Sequence, residues 1–335
     1  MFKIENHLIG GNKVFIIAEI GINHQGSTNN CKKLIDNAKK IGADAVKLQI
    51  CNPEYSYNSN TSSYKIFKKN ILNFEQLKTL KKYAKKRKIT LFATPGDFQS
   101  LDIVKKLNFP AIKISSGLIT NEPLISEIVK LKKPVIFSTG MAYISEITKA
   151  LSILKKKNIQ IAILKCTSLY PCPPKFINLK SIESLKKKFP KIPIGYSDHT
   201  NGIDSCIAAV ALGAKIIEKH ITLKKNIKVP DQKVSCDPDE FKILVRKIRY
   251  IEKILGKENA FPTFPEIKKR KLYHRSIIAV KNISKDEIFN KTNIALKRSV
   301  DKKKSINSKY FFKILGKKSK KNILCNSKIT IEDFV

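Results

Sequence analysis

The stretch KVFIIAEIGINHQGSTNNCKKLIDNAKKIGADAVKLQ (13–49) holds the unit from which the fold is predicted. Its apolar, β-branched run at 13–19 predicts a strand, and its amphipathic stretch at 28–41 predicts a helix. A second apolar run, at 44–49, predicts another strand. A strand, a helix and a further strand in this order are typical of two parallel strands joined by a helical crossover.

This unit repeats along most of the chain. Eight short apolar runs predict strands, at 13–19, 44–49, 88–93, 110–115, 133–138, 159–165, 192–196 and 214–220. Eight amphipathic stretches predict helices, at 28–41, 74–87, 98–107, 122–131, 144–157, 178–188, 203–213 and 239–255. Strict alternation of eight strands with eight helices predicts a (β/α)8 barrel, the TIM barrel. A doubly wound open sheet is the alternative, but no Gly-rich dinucleotide-binding turn follows the first strand.

The pattern changes after the predicted barrel at 1–256. The segment KENAFPTFPEIKKRK (257–271) contains two prolines and lacks periodicity, so it predicts a linker. Short apolar runs with one helix around 305–315 predict a small domain over 272–335. Within the barrel, the insert at 50–73 is rich in Ser, Asn and Tyr, and such long loops usually cover a site or are mobile.

The formal net charge of +39 has two interpretations, a polyanion-binding surface or a lysine-rich solvated one. Base-specific contacts favour arginine, whereas only six of the 66 basic residues are arginine, which argues against specific nucleic-acid binding. Seven cysteines without a CxxC pair favour a reducing cytoplasm over a disulfide framework. No apolar run approaches the ~20 residues of a membrane span, so no membrane partner is expected.

A barrel places its active site at the carboxyl ends of its strands, and all eight predicted ends are polar. Lys47 and Lys113 lie within otherwise apolar strands, where an unpaired ammonium would be costly, so they are expected to bind an anion. An alternative role for Lys113 or Lys165 is that of a Schiff-base nucleophile. The residues at the strand ends and in the loops that follow include Glu19, Lys47, Gln49, Thr94, Lys113, Ser116, Ser138, Ser168, Tyr170, Ser197, His199, Glu218 and His220.

Two of the five histidines, His199 and His220, close the last two predicted strands. Adjacent strands lie ~4.8 Å apart, so the two rings could share one ion. Two histidines suit an open site completed by water and substrate oxygens, such as a Mn²⁺ site. Glu218 and Asp231 could hold the water or a histidine of this site. The alternative is that both histidines are structural.

Several of these segments resemble the sialic acid synthase family, which includes the N-acetylneuraminate, legionaminate and pseudaminate synthases. The matching segments are AEIGINHQGS (18–27), GADAVKLQ (42–49), FATP (92–95), STGM (138–141), KCTSLYP (165–171), GYSDHT (195–200), ALGAKIIEKHITL (211–223) and PDQKVS (230–235). The C-terminal segments RSIIAVKNISKDEIF, NIALKR and LGKK resemble that family's antifreeze-protein-like (SAF, β-clip) domain.

The resemblance implies a reaction. The family condenses phosphoenolpyruvate with the open aldehyde form of an N-acetylated amino sugar, giving a nonulosonic acid and phosphate. A divalent metal on the equivalents of His199 and His220, most simply Mn²⁺ with Mg²⁺ or Co²⁺ as alternatives, polarises the aldehyde oxygen. C3 of phosphoenolpyruvate attacks the aldehyde carbon, water adds at C2, and phosphate leaves by C–O cleavage.

The resemblance also implies residue roles. Glu19 positions groups or removes a proton at the reacting centre, and Glu218 and Asp231 contact metal-bound water or sugar hydroxyls. The chain is expected to form a domain-swapped homodimer in which the SAF domain caps the partner's barrel and Arg298 touches the sugar's acyl group. Phosphoenolpyruvate binding falls to Lys47, Thr94, Lys113, Ser138, Ser168, Tyr170 and Ser197, with Gln49 and Ser116 as further substrate-binding residues.

Departures from the family pattern concern the sugar. Leu118 stands where family members often carry an acid, and Gln232 replaces a histidine after Pro-Asp. The expected acceptor is therefore a sugar with fewer hydroxyls, such as a 6-deoxy-diacetamido hexose, with N-acetylmannosamine as the alternative. Two other functions stay open: a pyruvate-dependent Schiff-base aldolase on the same barrel, and a non-enzymatic basic binding protein.

Overall fold

A computed structural model describes residues 1–226, 229–256, 258–299 and 306–334. The chain forms two compact units, Met1–Gly256 and Lys257–Val335. Each unit has its own apolar core. Among the described residues, no helix is long and apolar enough to cross a membrane.

The first unit begins with a hairpin that the sequence did not predict. Strands β1 (Phe2–Ile4) and β2 (His7–Ile9) pair in antiparallel register. The His7 ring lies 5.2 Å from the Phe15 ring, and Thr90 Oγ1 donates a hydrogen bond to Glu5. Both contacts are at the amino ends of barrel strands, so the hairpin covers that end. Strands of three residues are too short to show an alternating pattern, which explains why they were missed.

Eight parallel strands then close into a barrel, which confirms the predicted TIM barrel. The last strand pairs with the first, and each other strand pairs with its sequence neighbours. The strands are β3 (Phe15–Gly21), β4 (Ala45–Ile50), β5 (Thr90–Pro95), β6 (Ile112–Ile114), β7 (Val135–Ser138), β8 (Ile161–Cys166), β9 (Ile194–Asp198) and β10 (Ile216–His220).

The eight predicted helices are present, with ends that differ by at most three residues. They are accompanied by two short helices in the insert at 50–73, where none was predicted. Asn52 and Thr61 cap these two helices with side-chain oxygens, which is the signal that the Ser- and Asn-rich composition concealed. The helices of this unit are α1 (Thr28–Ile41), α2 (Pro53–Ser56), α3 (Ser62–Lys69), α4 (Phe74–Lys86), α5 (Phe98–Lys106), α6 (Glu122–Lys130), α7 (Ile144–Lys155), α8 (Ser181–Lys188), α9 (Asp204–Ala211) and α10 (Pro238–Ile254).

Alternation along the strands decides which side chains face the barrel interior. On β9 and β10, Ser197 pairs with Glu218 in register, and their side chains meet inside the barrel. The next pair, Asp198 and Lys219, points outward and is covered by helix α9 through Cys206. The inner face of the last two strands therefore carries the predicted site residues.

The second unit contains helix α11 (Phe264–Tyr273) and the antiparallel strands β11 (Ser276–Ala279) and β12 (Ile294–Lys297). Helix α11 begins within the segment 257–271 that was predicted as a linker. A proline near the start of a helix is tolerated, and the Thr263–Glu266 capping box fixes that start. Helix α12 (Phe311–Ile314) lies within the predicted helix around 305–315, whose first residue lies outside the described ranges.

Candidate active site

Four charged side chains from separate strands meet inside the carboxyl end of the barrel, and all four are buried. Lys47 on β4 forms an ion pair with Glu19 on β3, and its Nζ lies 3.5 Å from Glu218 Oε2. Lys113 on β6 lies 3.5 Å from Glu218 Oε1. Two ammonium groups thus share Glu218, at a separation longer than a hydrogen bond.

Hydroxyl groups surround these charges. Lys47 Nζ donates to Thr94 Oγ1 at 3.2 Å, and Lys113 Nζ donates to Ser138 Oγ at 2.6 Å. Ser197 Oγ donates to Glu218 Oε1 at 2.9 Å. Lysines bordered by hydroxyls provide the donors that a phosphate or carboxylate group requires.

Ser116 and Ser168 approach each other at Gly140. The Gly140 amide donates to Ser116 Oγ at 3.0 Å. A Cβ at position 140 would lie 2.2 Å from Ser168 Oγ and 2.7 Å from Ser116 Oγ, so glycine is required for this approach. Gln49 pairs in register with Thr94 and lines a small hollow beside Phe67 and Asn70 of the insert.

The structure brings His199 and His220 together, with ring centroids 5.5 Å apart. The Tyr170 ring stacks on His199 at 4.0 Å and meets the edge of His220 at 6.1 Å. All three rings lie on the same side of the barrel wall as Glu218. The two histidines are therefore close enough to act on one group.

The ring nitrogens of the two histidines differ in their hydrogen-bond partners. Nδ1 of His199 lies 2.9 Å from the Thr167 carbonyl, which assigns the proton to Nδ1 and leaves a lone pair on Nε2. That Nε2 accepts from the Tyr170 hydroxyl at 2.7 Å. Nδ1 of His220 is buried and has no hydrogen-bond partner among the described residues, and Asp231 Oδ2 lies 3.7 Å from it.

Asp231 reaches this position because the chain turns sharply at Gly21. The φ angle of Gly21 is +51°, and a Cβ there would lie 2.1 Å from Asp231 Oδ2. The Ile22 amide donates to that carboxylate oxygen at 3.1 Å, and the Gly21 amide donates to Glu19 Oε1 at 2.6 Å. The loop after β3 thereby orients one carboxylate beside the histidines and another beside Lys47.

The charged groups differ in proton affinity. Burial raises the pKa of Glu19 to about 7, even though Lys47 acts in the opposite direction. Burial alone would also raise the pKa of Glu218, but Lys113 and Lys47 together lower it. Burial holds the pKa of His220 well below its usual value, so this imidazole is neutral. Two nearby carboxyl groups with separated pKa values are typical of acid–base chemistry.

The donor set at the two histidines fits an open divalent metal site. Two imidazoles present lone pairs, and Asp231 stands close enough to orient His220 or a water. Among residues 1–226, 229–256, 258–299 and 306–334, no cluster of three or more His, Cys, Asp or Glu side chains forms a closed metal site. The remaining ligands would therefore be water and substrate oxygens.

Two residues give a different picture from the sequence. Lys165 faces outward, where its Nζ contacts Thr167 Oγ1 and the Ile177 carbonyl, and it lines a cavity of about 730 Å³ between α7 and α8. Cys166, which was not predicted, faces inward with Sγ 3.7 Å from His199 Nδ1. Alternation along β8 predicts that one of these two neighbours faces the barrel interior, but it does not predict which one.

Arg298, the remaining predicted site residue, belongs to the second unit. Its guanidinium lies over the Tyr273 ring, 4.8 Å from the ring centroid. Its contact with a sugar stays a prediction.

Comparison with known proteins identifies relatives over most of the chain. The family model described as "NeuB family" matches residues 34–260. The N,N'-diacetyllegionaminic acid synthase of Campylobacter jejuni is 40% identical over 327 residues, covering 92% of this chain and 97% of that protein. The pseudaminic acid synthase of the same species is 36% identical, covering 96% and 97%. The crystal structure of the Leptospira borgpetersenii N-acetylneuraminic acid synthetase with citrate is 38% identical, has a TM-score of 0.77, and covers 81% of this chain and 96% of that one.

Proposed function

This chain belongs to the NeuB family and is a condensing enzyme of the sialic acid synthase type, and we propose that it joins phosphoenolpyruvate to an N-acetylated amino sugar. The products are a nonulosonic acid and phosphate. The observation that carries the proposal is the meeting of two buried lysines with a pair of close histidines at one end of the barrel.

Lys47 and Lys113 bind the phosphate and carboxylate groups of phosphoenolpyruvate. Both ammonium groups lie 3.5 Å from Glu218, a separation longer than a hydrogen bond. An incoming anion can therefore accept hydrogen bonds from lysine N–H groups that Glu218 does not engage. Thr94, Ser138 and Ser197 add hydroxyl donors. Ser116 and Ser168 extend this group around Gly140.

His199 and His220 hold a divalent cation, for which Mn²⁺ is the best candidate. When bound, the ion would act as a Lewis acid towards the sugar's aldehyde oxygen. Tyr170 packs against His199 and excludes water from that face of the ring. Glu19, whose pKa burial raises to about 7, holds or releases a proton beside Lys47.

The acceptor is a diacetamido hexose lacking the 6-hydroxyl. Leu118 offers no acidic group, and Gln232 no imidazole, where family members read sugar hydroxyls. Two relatives, named for diacetyllegionaminic and pseudaminic acid, support a modified sugar. N-acetylmannosamine is the alternative acceptor.

The second unit is an SAF-type domain that caps the barrel of a partner in a cytoplasmic homodimer, where Arg298 contacts the acyl group of the sugar. This part of the proposal rests on the family resemblance. Light scattering of the intact chain tests the dimer, and Arg298→Ala is expected to raise KM for the sugar without changing that for phosphoenolpyruvate.

The experiment is phosphate release from phosphoenolpyruvate with Mn²⁺ and a panel of N-acetylated hexoses, with keto-acid product measured in parallel. Phosphate and keto acid formed together, with loss of both on chelation, would support the proposal. Borohydride trapping of pyruvate on a lysine would instead indicate the Schiff-base aldolase. Faster turnover of N-acetylmannosamine than of any diacetamido sugar would overturn the acceptor assignment.

A non-enzymatic role for the basic surface makes a separate prediction. It requires binding to a polyanion that falls steeply with salt and survives His199→Ala. If no sugar in the panel causes phosphate release from phosphoenolpyruvate, and such binding is observed, the enzymatic proposal is overturned.

A further inference from the structure

An ion pair sealed behind the barrel wall joins the two strands that carry the histidines. Lys219 Nζ lies 2.6 Å from Asp198 Oδ2, and both side chains are 0% exposed. The pair lies on the outer face of β9 and β10, opposite the candidate site, beneath helix α9. From this position the two residues do not contact a substrate in the barrel interior.

Both carboxylate oxygens of Asp198 and two of the three ammonium protons of Lys219 have partners. Asp198 Oδ1 accepts from the Tyr196 hydroxyl at 2.8 Å and from the Thr200 amide at 3.1 Å. Asp198 Oδ2 accepts from Thr200 Oγ1 at 3.1 Å and from the Cys206 thiol at 3.4 Å. Lys219 also donates to the Thr200 carbonyl at 2.6 Å. The network therefore holds the chain on both sides of His199, at Asp198 and at Thr200.

The register of the two strands links this hydrogen-bond network to the positions of the two histidines. Asp198 pairs with Lys219, and the preceding Ser197 pairs with Glu218 on the inner face. His199 follows directly after the end of β9, and His220 is the last residue of β10. Because a slip of one residue turns every side chain to the opposite face, the outer pair and the inner site depend on the same register.

Stability alone gives a weak reason for such a pair. Burying two charges costs about as much as their attraction returns, and apolar replacements of a buried pair are often neutral or stabilising. A saturated polar network, by contrast, specifies one arrangement of the groups that it joins. Groups behind metal ligands commonly set ligand orientation in this way.

We propose that Asp198 and Lys219 are positioning residues that hold His199 and His220 at the separation and orientation that a shared cation requires. This inference rests on the proposed metal site. The pair acts through the backbone at Thr200 and through the strand register, and it touches neither substrate nor cation.

The test compares two charge-neutral double variants of the full chain. One is Asp198→Asn with Lys219→Met. The control is Asp44→Asn with Arg249→Met, which removes a partly buried ion pair of 2.7 Å at the opposite end of the barrel. Mn²⁺ dissociation constants are measured by electron paramagnetic resonance of free Mn²⁺, phosphoenolpyruvate affinity by calorimetry, and stability by thermal unfolding.

The expected result is a Mn²⁺ dissociation constant about 10- to 100-fold higher in the first variant, with phosphoenolpyruvate affinity within about threefold of wild type. The control is expected to change the melting temperature while its Mn²⁺ affinity stays within about threefold. If the first double variant does not fold, Lys219→Arg is tested instead, because it keeps the charge. This variant is expected to show a smaller loss of Mn²⁺ affinity.

The outcomes separate the two proposals. Wild-type Mn²⁺ affinity in a folded Asp198→Asn, Lys219→Met variant, or in a folded Lys219→Arg variant, would overturn the positioning role and leave the proposed function intact. Absence of Mn²⁺ binding by the wild-type chain would overturn both the metal site and this inference. Equal loss in the control would show a general loss of barrel stability and would overturn the positioning role.

Discussion

Asp44, at the amino end of the barrel, and Glu218, at the carboxyl end, are both buried carboxylates with more than one cationic neighbour. Asp44 accepts from Lys13 at 2.9 Å, from Arg249 at 2.7 Å and from the Ile16 amide at 2.9 Å. Glu218 has one hydrogen bond, from Ser197, and its two lysines stand off at 3.5 Å.

The difference lies in which bonds the protein completes for itself. At the amino end, ions and backbone amides satisfy each other, so the network serves the fold. Within the part of the chain that the structure describes, Glu218 Oε2 and His220 Nδ1 at the carboxyl end are buried without a hydrogen bond. Unfinished polar bonding carries a free-energy cost, and its concentration at one end indicates where a ligand completes it. The four predictions that follow test this contrast, from the largest expected effect to the smallest.

Replacing His220 by alanine should have the largest effect, because it removes one of the two imidazoles proposed to hold the cation. We expect kcat/KM to fall by at least about 10³-fold, which corresponds to roughly 4 kcal/mol. The measurement is phosphate release by the folded variant, alongside Mn²⁺ binding. Activity within tenfold of wild type would show that the contrast between the two ends has no catalytic meaning.

Asp44→Asn should act on stability instead. Removing one partner leaves Arg249 and Lys13 beside a neutral side chain, so the free energy of unfolding should fall by about 3 kcal/mol. Urea unfolding measures this fall, and kcat per folded molecule should match wild type. A stable but slow variant would contradict the assignment of this end to the fold.

Stability should also depend on pH through Glu19. Its pKa is about 7 in the folded chain and near 4.5 when unfolded, so the folded state binds the proton more tightly. The resulting stabilisation is complete below pH 4.5 and is lost as the pH rises through about 7.

Wild type should therefore lose roughly 2 kcal/mol relative to Glu19→Gln between pH 4.5 and 7.5. Urea unfolding of both proteins across this range gives the comparison. Parallel pH profiles would show that Glu19 is already ionised at low pH.

Lys113→Met should have the smallest of these effects. Loss of one charge-assisted contact is expected to raise KM for phosphoenolpyruvate about 10- to 30-fold, or roughly 1.4–2 kcal/mol. The matched control is Lys165→Met, since Lys165 is a buried lysine that faces away from the barrel interior. A similar rise in KM for both variants would remove the distinction between inward and outward lysines.

The barrel was predictable because the local sequence pattern of each strand and helix indicates that element. Helix α1 was predicted at 28–41 and spans Thr28–Ile41, where a Ser27 cap, an apolar face and a following Gly42 agree. The hairpin at Phe2–Ile9 and the helices at Pro53–Ser56 and Ser62–Lys69 were not predicted. These pieces are too short for periodicity, and packing against the barrel or side-chain caps decide them.

The site was predictable in part for a related reason. Parallel strands bring their carboxyl ends to one edge, so Lys47, Lys113, His199 and His220 could be grouped before any coordinates existed. Sequence could not show that Lys165 faces outward while Cys166 faces His199. Strand period is fixed at two, but its phase depends on where the strand joins the sheet.

Sequence by itself determined the alternation of strands and helices, the closure number of eight and the polar character of the strand ends, because these depend on patterns among near neighbours. Only the tertiary structure decided that Asp231 reaches His220 past Gly21, and that Asp198 and Lys219 form an ion pair on the outer face of β9 and β10. These contacts join residues roughly 10 to 210 positions apart, and they form only once the barrel has closed and set the register of its strands.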